Sequence, residues 1–363
     1  MPNTNTPLHK PYPAVSVVIP MYNREKYIGA CLETFLAQTF KNFELIVVDD
    51  GSTDSSCAIV ESYAEKFGGR LKLLRMKENS GCAGVPRNKG LLFSRGKYIY
   101  FFDSDDGILP TALEEMYTLA ETYKADVVCY TKHYVAEDDG KLTDIKSKDD
   151  YNPTDEILVD EDLIARTDGI IENKFPVVVW KFLISRDLIL ENELFFTDTP
   201  SGQDQIFTKS VLLKAKKLLV VPRALVIHRL SEGSMVRKER TFSEKISQAL
   251  AFGFDAMDYL DNVMSKIELF RANPEYRYQV LEAFMFKRLE TFLKRCEDKS
   301  NFEIYEAIRK EFGDRDIVTA MLCTAFHAQR KSAEEAFQEF SDYAAQAQAY
   351  IDELEAQLNL VRK

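Results

Sequence analysis

The sequence predicts an α/β fold, a mostly parallel sheet between helices, followed by a helical C-terminal region. Three observations carry this. Short β-branched or aromatic runs alternate with stretches whose apolar residues recur at helical spacing, the pattern of β-α units joined by short connections. Polar and acidic clusters follow those runs directly, where parallel strands present their carboxyl ends and open α/β sheets bind ligands. Beyond Thr241 the apolar spacing is helical to the end of the chain.

Val15-Ser16-Val17-Val18-Ile19-Pro20 reads as a buried first strand ending at its proline. From Glu25 to Gln38, Ile28, Cys31, Leu32, Phe35 and Leu36 fall on one helical face. Phe43 to Val48 is a second strand ending in Asp49-Asp50-Gly51-Ser52-Thr53-Asp54, and a helix follows to about Phe67. A third strand spans Leu71 to Arg75. After Asn79-Ser80-Gly81-Cys82-Ala83-Gly84, Pro86 suits the first turn of a helix reaching about Ser94. Tyr98 to Phe102 is a strand, Pro110 to Tyr123 a helix, and Ala125 to Tyr130 a strand.

Residues 131–168 are polar and acid-rich and read as an exposed hairpin and loops. Order returns at Phe175 to Ser185, which holds the sole tryptophan, Trp180. A helix is expected from Gln203 to Lys214, then strands at Leu218 to Val221 and Ala224 to Ile227. In the last segment, Phe337, Ala344, Ile351 and Leu358 share one heptad position and Phe340, Ala347, Leu354 and Val361 another. Such a narrow seam predicts a coiled-coil-like tail and a homo-oligomer formed through it. The expected organisation is a flexible leader over 1–13, an α/β domain over 14–240, a helical appendage over 241–330 and the heptad helix over 331–363.

Composition narrows the function classes. A formal charge of -11 over 363 residues argues against a nucleic-acid partner held on a broad basic face, yet leaves room for a nucleotide, which needs a few local donors. The six cysteines (Cys31, Cys57, Cys82, Cys129, Cys296, Cys323) form no CxxC pair, so neither a disulfide framework nor a zinc site is indicated. The proline-rich start does not read as a signal peptide, and no segment approaches the ~20 apolar residues of a membrane span. A cytoplasmic protein is expected, with peripheral association at the inner face of a membrane left open.

Chemistry concentrates at Phe102-Asp103-Ser104-Asp105-Asp106-Gly107. Alternation along a strand aims Asp103 and Asp105 to one side and Asp106 elsewhere. Paired oxygen ligands suit a hard divalent cation that keeps positions open for phosphate oxygens, while the plainer reading is an acidic turn after a strand.

With VSVVIPMYN, ELIVVDDGSTD, ENSGCAGVPRNKG and YIYFFDSDD in this order and spacing, the chain resembles the family 2 glycosyltransferases of the GT-A fold over residues 14–235. The resemblance implies an inverting enzyme that takes a sugar from a nucleotide-sugar, UDP-linked in much of the family, to a hydroxyl of a glycan or surface polymer. It implies a divalent metal, Mn²⁺ or Mg²⁺, on the donor pyrophosphate.

Carried over by position, Pro20, Tyr22, Asp50, Asn79 and Arg87 lie on the nucleotide side. Asp103 and Ser104 lie beside ribose or the transferred sugar, and Asp105 is the metal ligand of the DxD motif. Arg229 is placed to compensate pyrophosphate charge, with a surface salt bridge as the other reading. Asp204 matches the general base, with a helix N-terminal acid as the alternative, and Gln203 replaces the glutamate usually before it. His228 is either a further metal ligand or a hydrogen-bonded strand-end histidine. Trp180 and Lys181 fall on the acceptor side, with a core tryptophan as the alternative. Two rival classes stay open on sequence grounds, a metal-dependent phosphotransferase and a non-catalytic subunit that keeps the donor fold.

Overall fold

The structure, a computed structural model, describes residues 12–146, 152, 154–199, 202–231, 257–294 and 303. Strands β1 (Val15–Met21) and β2 (Phe43–Asp49) are buried along their whole length, as strands covered on both faces require. With β3 (Leu71–Arg75) and β4 (Tyr98–Phe101) they form a parallel block in the order β3-β2-β1-β4. Helices α1 (Ile28–Leu36), α2 (Ser56–Ser62) and α3 (Gly84–Phe93) make the crossovers.

Beyond β4 the sheet becomes mixed. β9 (Phe182–Ser185) pairs antiparallel with both β4 and β6 (Val127–Ala136), and β10 (Leu218–Arg229) runs parallel to β6. The short β5 (Gly107–Ile108) pairs with the end of β10. β7 (Leu142–Lys146) and β8 (Leu158–Asp160) add to β6 and β10. α4 (Ala112–Tyr123) packs on the sheet, α6 (Arg186–Glu191) follows β9, and α7 (Gln203–Lys214) leads into β10.

Four local results differ from the sequence reading, each for a visible reason. β1 continues through Pro20 to Met21. The Val18 carbonyl accepts from Phe102 N–H and the Met21 carbonyl from Asp50 N–H, so the missing Pro20 donor faces β4 just where that strand ends. α1 starts at Ile28 rather than Glu25; the chain before it is held to the loop after β2, with Arg24 N–H donating to Ser56 Oγ at 2.7 Å and Glu25 N–H to Asp54 Oδ2 at 3.1 Å. The two late strands are one, β10, whose pairing with β6 slips on either side of Ala224, just after Pro222. Within the segment read as loops lies α5 (Leu163–Ile171), capped by the Asp162 carboxylate on the N–H groups of Ile164 and Ala165.

The chain divides into two compact units, residues 1–239 with 255–281 and residues 240–254 with 282–363. In the first, residues 257–265 are helical and a further helix begins at Pro274. The leader to residue 11, most of 232–256, nearly all of 295–330 and the heptad tail over 331–363 lie outside the described residues. Among the described residues no helix is long and apolar enough to cross a membrane.

Candidate active site

The carboxyl ends of β1, β2 and β4 lie at one edge of the sheet because the three strands are parallel neighbours. After β1 the chain turns at Asn23, which takes a positive φ of 49°, and its side chain accepts from Thr53 N–H at 2.8 Å. Ser52 Oγ accepts from Asn23 N–H at 2.9 Å, so the loops after β1 and β2 are laced together. Tyr22 stands 42% exposed beside them, whereas Pro20 is buried. Asp50 is buried and accepts from Ser80 N–H at 3.0 Å and Ser80 Oγ at 2.9 Å; burial lifts its carboxyl above the ordinary value, and the serine bonds work against that lift. Asn79 Oδ1 accepts from Gly81 N–H at 2.7 Å, shaping the same turn. Gly51, with φ of 77°, lets this turn close: a Cβ there would sit 2.8 Å from Asn79 N.

The acidic turn after β4 does not follow strand alternation, since β4 ends at Phe101. Each carboxylate goes its own way. Asp103 pairs with Arg87 at 2.8 Å. Asp105 accepts from Ser231 Oγ at 2.7 Å and has Arg24 Nε at 3.8 Å. Asp106, expected to point away from the site, is 1% exposed and accepts from Arg229 N–H at 2.9 Å, with His228 Nδ1 at 3.1 Å. The Ser104 side chain is buried under the turn.

Arg87 joins this turn to α7. Its Nη2 donates to Asp103, and its Nη1 donates to Asp204, whose other oxygen accepts from Val179 N–H at 3.4 Å. Burial pushes the Asp204 carboxyl up; Arg87 opposes this and Asp103 adds to it. The guanidinium carbon lies 5.3 Å from the centroid of Phe196, whose ring stacks on Phe207 of α7 at 3.9 Å. Asn88 grips the Phe196 backbone in both directions, at 2.8 and 2.9 Å. Gln203 is buried at the start of α7 against Gly84, where a neutral amide avoids the cost of an unpaired buried carboxylate.

His228, Arg229, Trp180 and Lys181 take more specific positions than the sequence suggested. The His228 imidazole stacks on Trp180 at 5.7 Å and 11°, and Asp106 holds its Nδ1, raising its pKa against the effect of burial. Trp180 is 5% exposed, its carbonyl accepting from Tyr100 Oη at 2.9 Å, so this indole is part of the packing around His228. Lys181 is buried and donates to the Thr131 carbonyl. Beside them His133, pushed down to about 4 by burial and the charge of Lys181, packs edge-on to Trp180. Arg229 meets no carboxylate among the described residues. It donates to the carbonyls of Asp105 at 3.1 Å and Asp138 at 2.8 Å, tying the acidic turn to the β6–β7 hairpin.

Arg24, Asn88, Phe196 and Ser231 were not singled out by sequence, and Asp106 was read only as pointing away. Asp106 and Asn88 stood inside recognised motifs, and only their partners reveal their roles.

A hard cation fits this donor set in one way. No group of three or more His, Cys, Asp or Glu is arranged to hold an ion among the described residues. Asp105 and the His228 nitrogen not held by Asp106 are the residues that could serve as one or two protein ligands where substrate phosphates complete the shell.

Fold and site together define an α/β scaffold with a polar, acidic site beyond the carboxyl ends of its parallel strands. Residues 16–169 match the family described as glycosyl transferase family 2. Glycosyltransferase GlyG of Streptococcus pneumoniae is 31% identical over 252 residues, 66% of this chain and 82% of GlyG. The putative glycosyltransferase EpsH of Bacillus subtilis is 34% identical over 231 residues, 62% of this chain and 63% of its own. A poly(ribitol-phosphate) beta-glucosyltransferase of Bacillus spizizenii is 34% identical over 57% of this chain, but the match spans 30% of that longer protein. Among solved structures, TarS of S. aureus with UDP-GlcNAc superposes with a TM-score of 0.62 at 22% identity, covering 87% of this chain and 91% of that one, a likeness of fold. The chain belongs to glycosyl transferase family 2.

Proposed function

We propose that the protein is an inverting glycosyltransferase that moves a sugar from a UDP-sugar to a hydroxyl of a glycan or polymer. The observation that carries this reading is the Arg87 guanidinium joining Asp103 to Asp204 in the first turn of α7. A donor-side and an acceptor-side carboxylate thereby meet at one sheet edge. The acidic turn follows β4 rather than the first strand, away from the place where a haloacid dehalogenase-type phosphotransferase carries its aspartate.

In the reaction the acceptor oxygen bonds the anomeric carbon as the bond to the diphosphate breaks, from opposite faces. Asp204 takes the acceptor proton, and its burial-raised carboxyl strengthens it as a base. Asp50, Asn79 and Tyr22 border the nucleotide, and Asp103 faces ribose or sugar hydroxyls. Asp105, with His228 as second ligand, would hold a divalent ion, which when bound offsets the charge developing on the leaving diphosphate. Asp106 orients His228, and Arg229 steadies the acidic turn. UDP is supported by the nucleotide-sugar bound in the TarS structure, and a polymeric hydroxyl acceptor by the poly(ribitol-phosphate) relative.

A thermal-denaturation screen of nucleotide-sugars with and without Mn²⁺ tests the donor class. A UDP-sugar at a hundred times its Kd is expected to stabilise the fold by about 2.7 kcal/mol. Stabilisation by phosphate esters but by no nucleotide-sugar or nucleoside diphosphate would defeat the reading.

A further inference from the structure

Arg87 is far more constrained than a donor contact requires. It is 3% exposed, and its flat guanidinium lies by the Phe196 ring. Its two terminal nitrogens are committed to different carboxylates, and its Nε is buried without a hydrogen-bond partner. The elements that fix it are equally rigid. Asn88, the next residue, clamps the Phe196 backbone, and Phe196 stacks on Phe207, three residues along α7 from Asp204. A Cβ on Gly84 would lie 2.3 Å from the Thr197 carbonyl oxygen, so this first residue of α3 closes on the 194–199 segment as only glycine can. Arg87 and Asp204 therefore belong to one packed block, while Asp103 reaches it from the turn after β4.

We propose that Arg87 is the positioning residue of the general base: its guanidinium fixes the Asp204 carboxylate and couples it to Asp103 on the donor side. This deepens the proposed function and rests on Asp204 being the base.

The electrostatics support the geometry. The charged groups that act most on Asp204 are Arg87 from α3 and Asp103 from the turn after β4, and the turn at Val179–Lys181 contributes the Val179 N–H. Burial and Asp103 favour the protonated acid, which cannot accept the acceptor's proton, and Arg87 opposes both. A lysine at 87 keeps the charge but cannot present two nitrogens in a fixed fork.

The test is the pH dependence of kcat at saturating donor for the full chain and for R87K, R87Q and D103N, with folding checked by thermal denaturation. R87Q is expected to move the acidic limb of kcat up by about one pH unit or more, the size of effect of a neighbouring opposite charge. R87K should move it less, and D103N should move it down, since a like charge is removed. If R87Q does not fold, R87K and D103N still give opposite signs. A raised donor KM with the limb unmoved in all three variants overturns the proposal and leaves Arg87 a donor ligand. D204N separates the two readings. If it retains transfer while the limb persists, the limb belongs to another group, and the base assignment and this proposal fall together.

Discussion

The buried carboxylate of Asp106 lies 3.1 Å from Nδ1 of His228 and also accepts the N–H of Arg229, so one side chain pins the end of β10 beneath the acidic turn. The pair leaves Nε2 as the imidazole's remaining nitrogen and fixes the ring plane, which Trp180 supports from one face. Substituting Asp106→Asn removes the charge with little change of shape. Mn²⁺-supported binding of a UDP-sugar, followed by calorimetry, is expected to weaken by about 10- to 100-fold, the usual effect of losing such a supporting group. Unchanged affinity would mean that His228 is held for structure alone.

Gly51→Ala tests the turn that brings Asn79 against the loop after β2. The new Cβ meets backbone at 2.8 Å in a residue with φ of 77°. A loss of about 1–3 kcal/mol in denaturant unfolding is expected from the strain. Donor binding should weaken with it, because the wall formed by Asp50 and Ser80 is built on that contact. A variant of wild-type stability would show that the turn relaxes freely.

Glu44 gives a pH-dependent expectation at the opposite end of the strands. Burial works to raise its carboxyl, but the bonds from Lys72, Ser16 Oγ and Arg95 N–H outweigh it and leave it lowered from 4.5. A lowered folded value means stability that is present above the unfolded value and lost as pH falls through the folded one. Glu44→Gln should cost about 2 kcal/mol at neutral pH, the worth of hydrogen bonds to a buried charge. The gap from wild type should begin to narrow below the ordinary glutamate value of about 4.3 and close only below the lowered folded value, where both side chains are neutral. A gap that stays constant with pH would remove the charge from the explanation.

The parallel half of the fold was legible because each strand there is a short apolar run that ends in its own polar cluster. Asp50, Asp103 and Asp105 could be placed at one sheet edge from that pattern. What sequence could not show were contacts between distant segments: Arg87 with Asp204 across 117 positions, and Asp106 with His228 across 122. Local rules also misled where tertiary bonds overrode them. Alternation failed for Asp103 to Asp106 because the strand had already ended, and the two strands read at 218–221 and 224–227 are one, β10, with an irregularity between them. For Trp180 the sequence left an acceptor-side position and a core tryptophan both open, and the structure puts His228 on its face.

Proton abstraction by Asp204, with the donor held elsewhere, is the step on which the proposed function turns. Its most direct test is to compare D204N with wild type for transfer from a UDP-sugar and, separately, for donor-induced thermal stabilisation. Transfer is expected to fall by about 10²- to 10⁴-fold, the usual contribution of a positioned general base, with the stabilisation retained. Transfer within a few-fold of wild type would contradict the account.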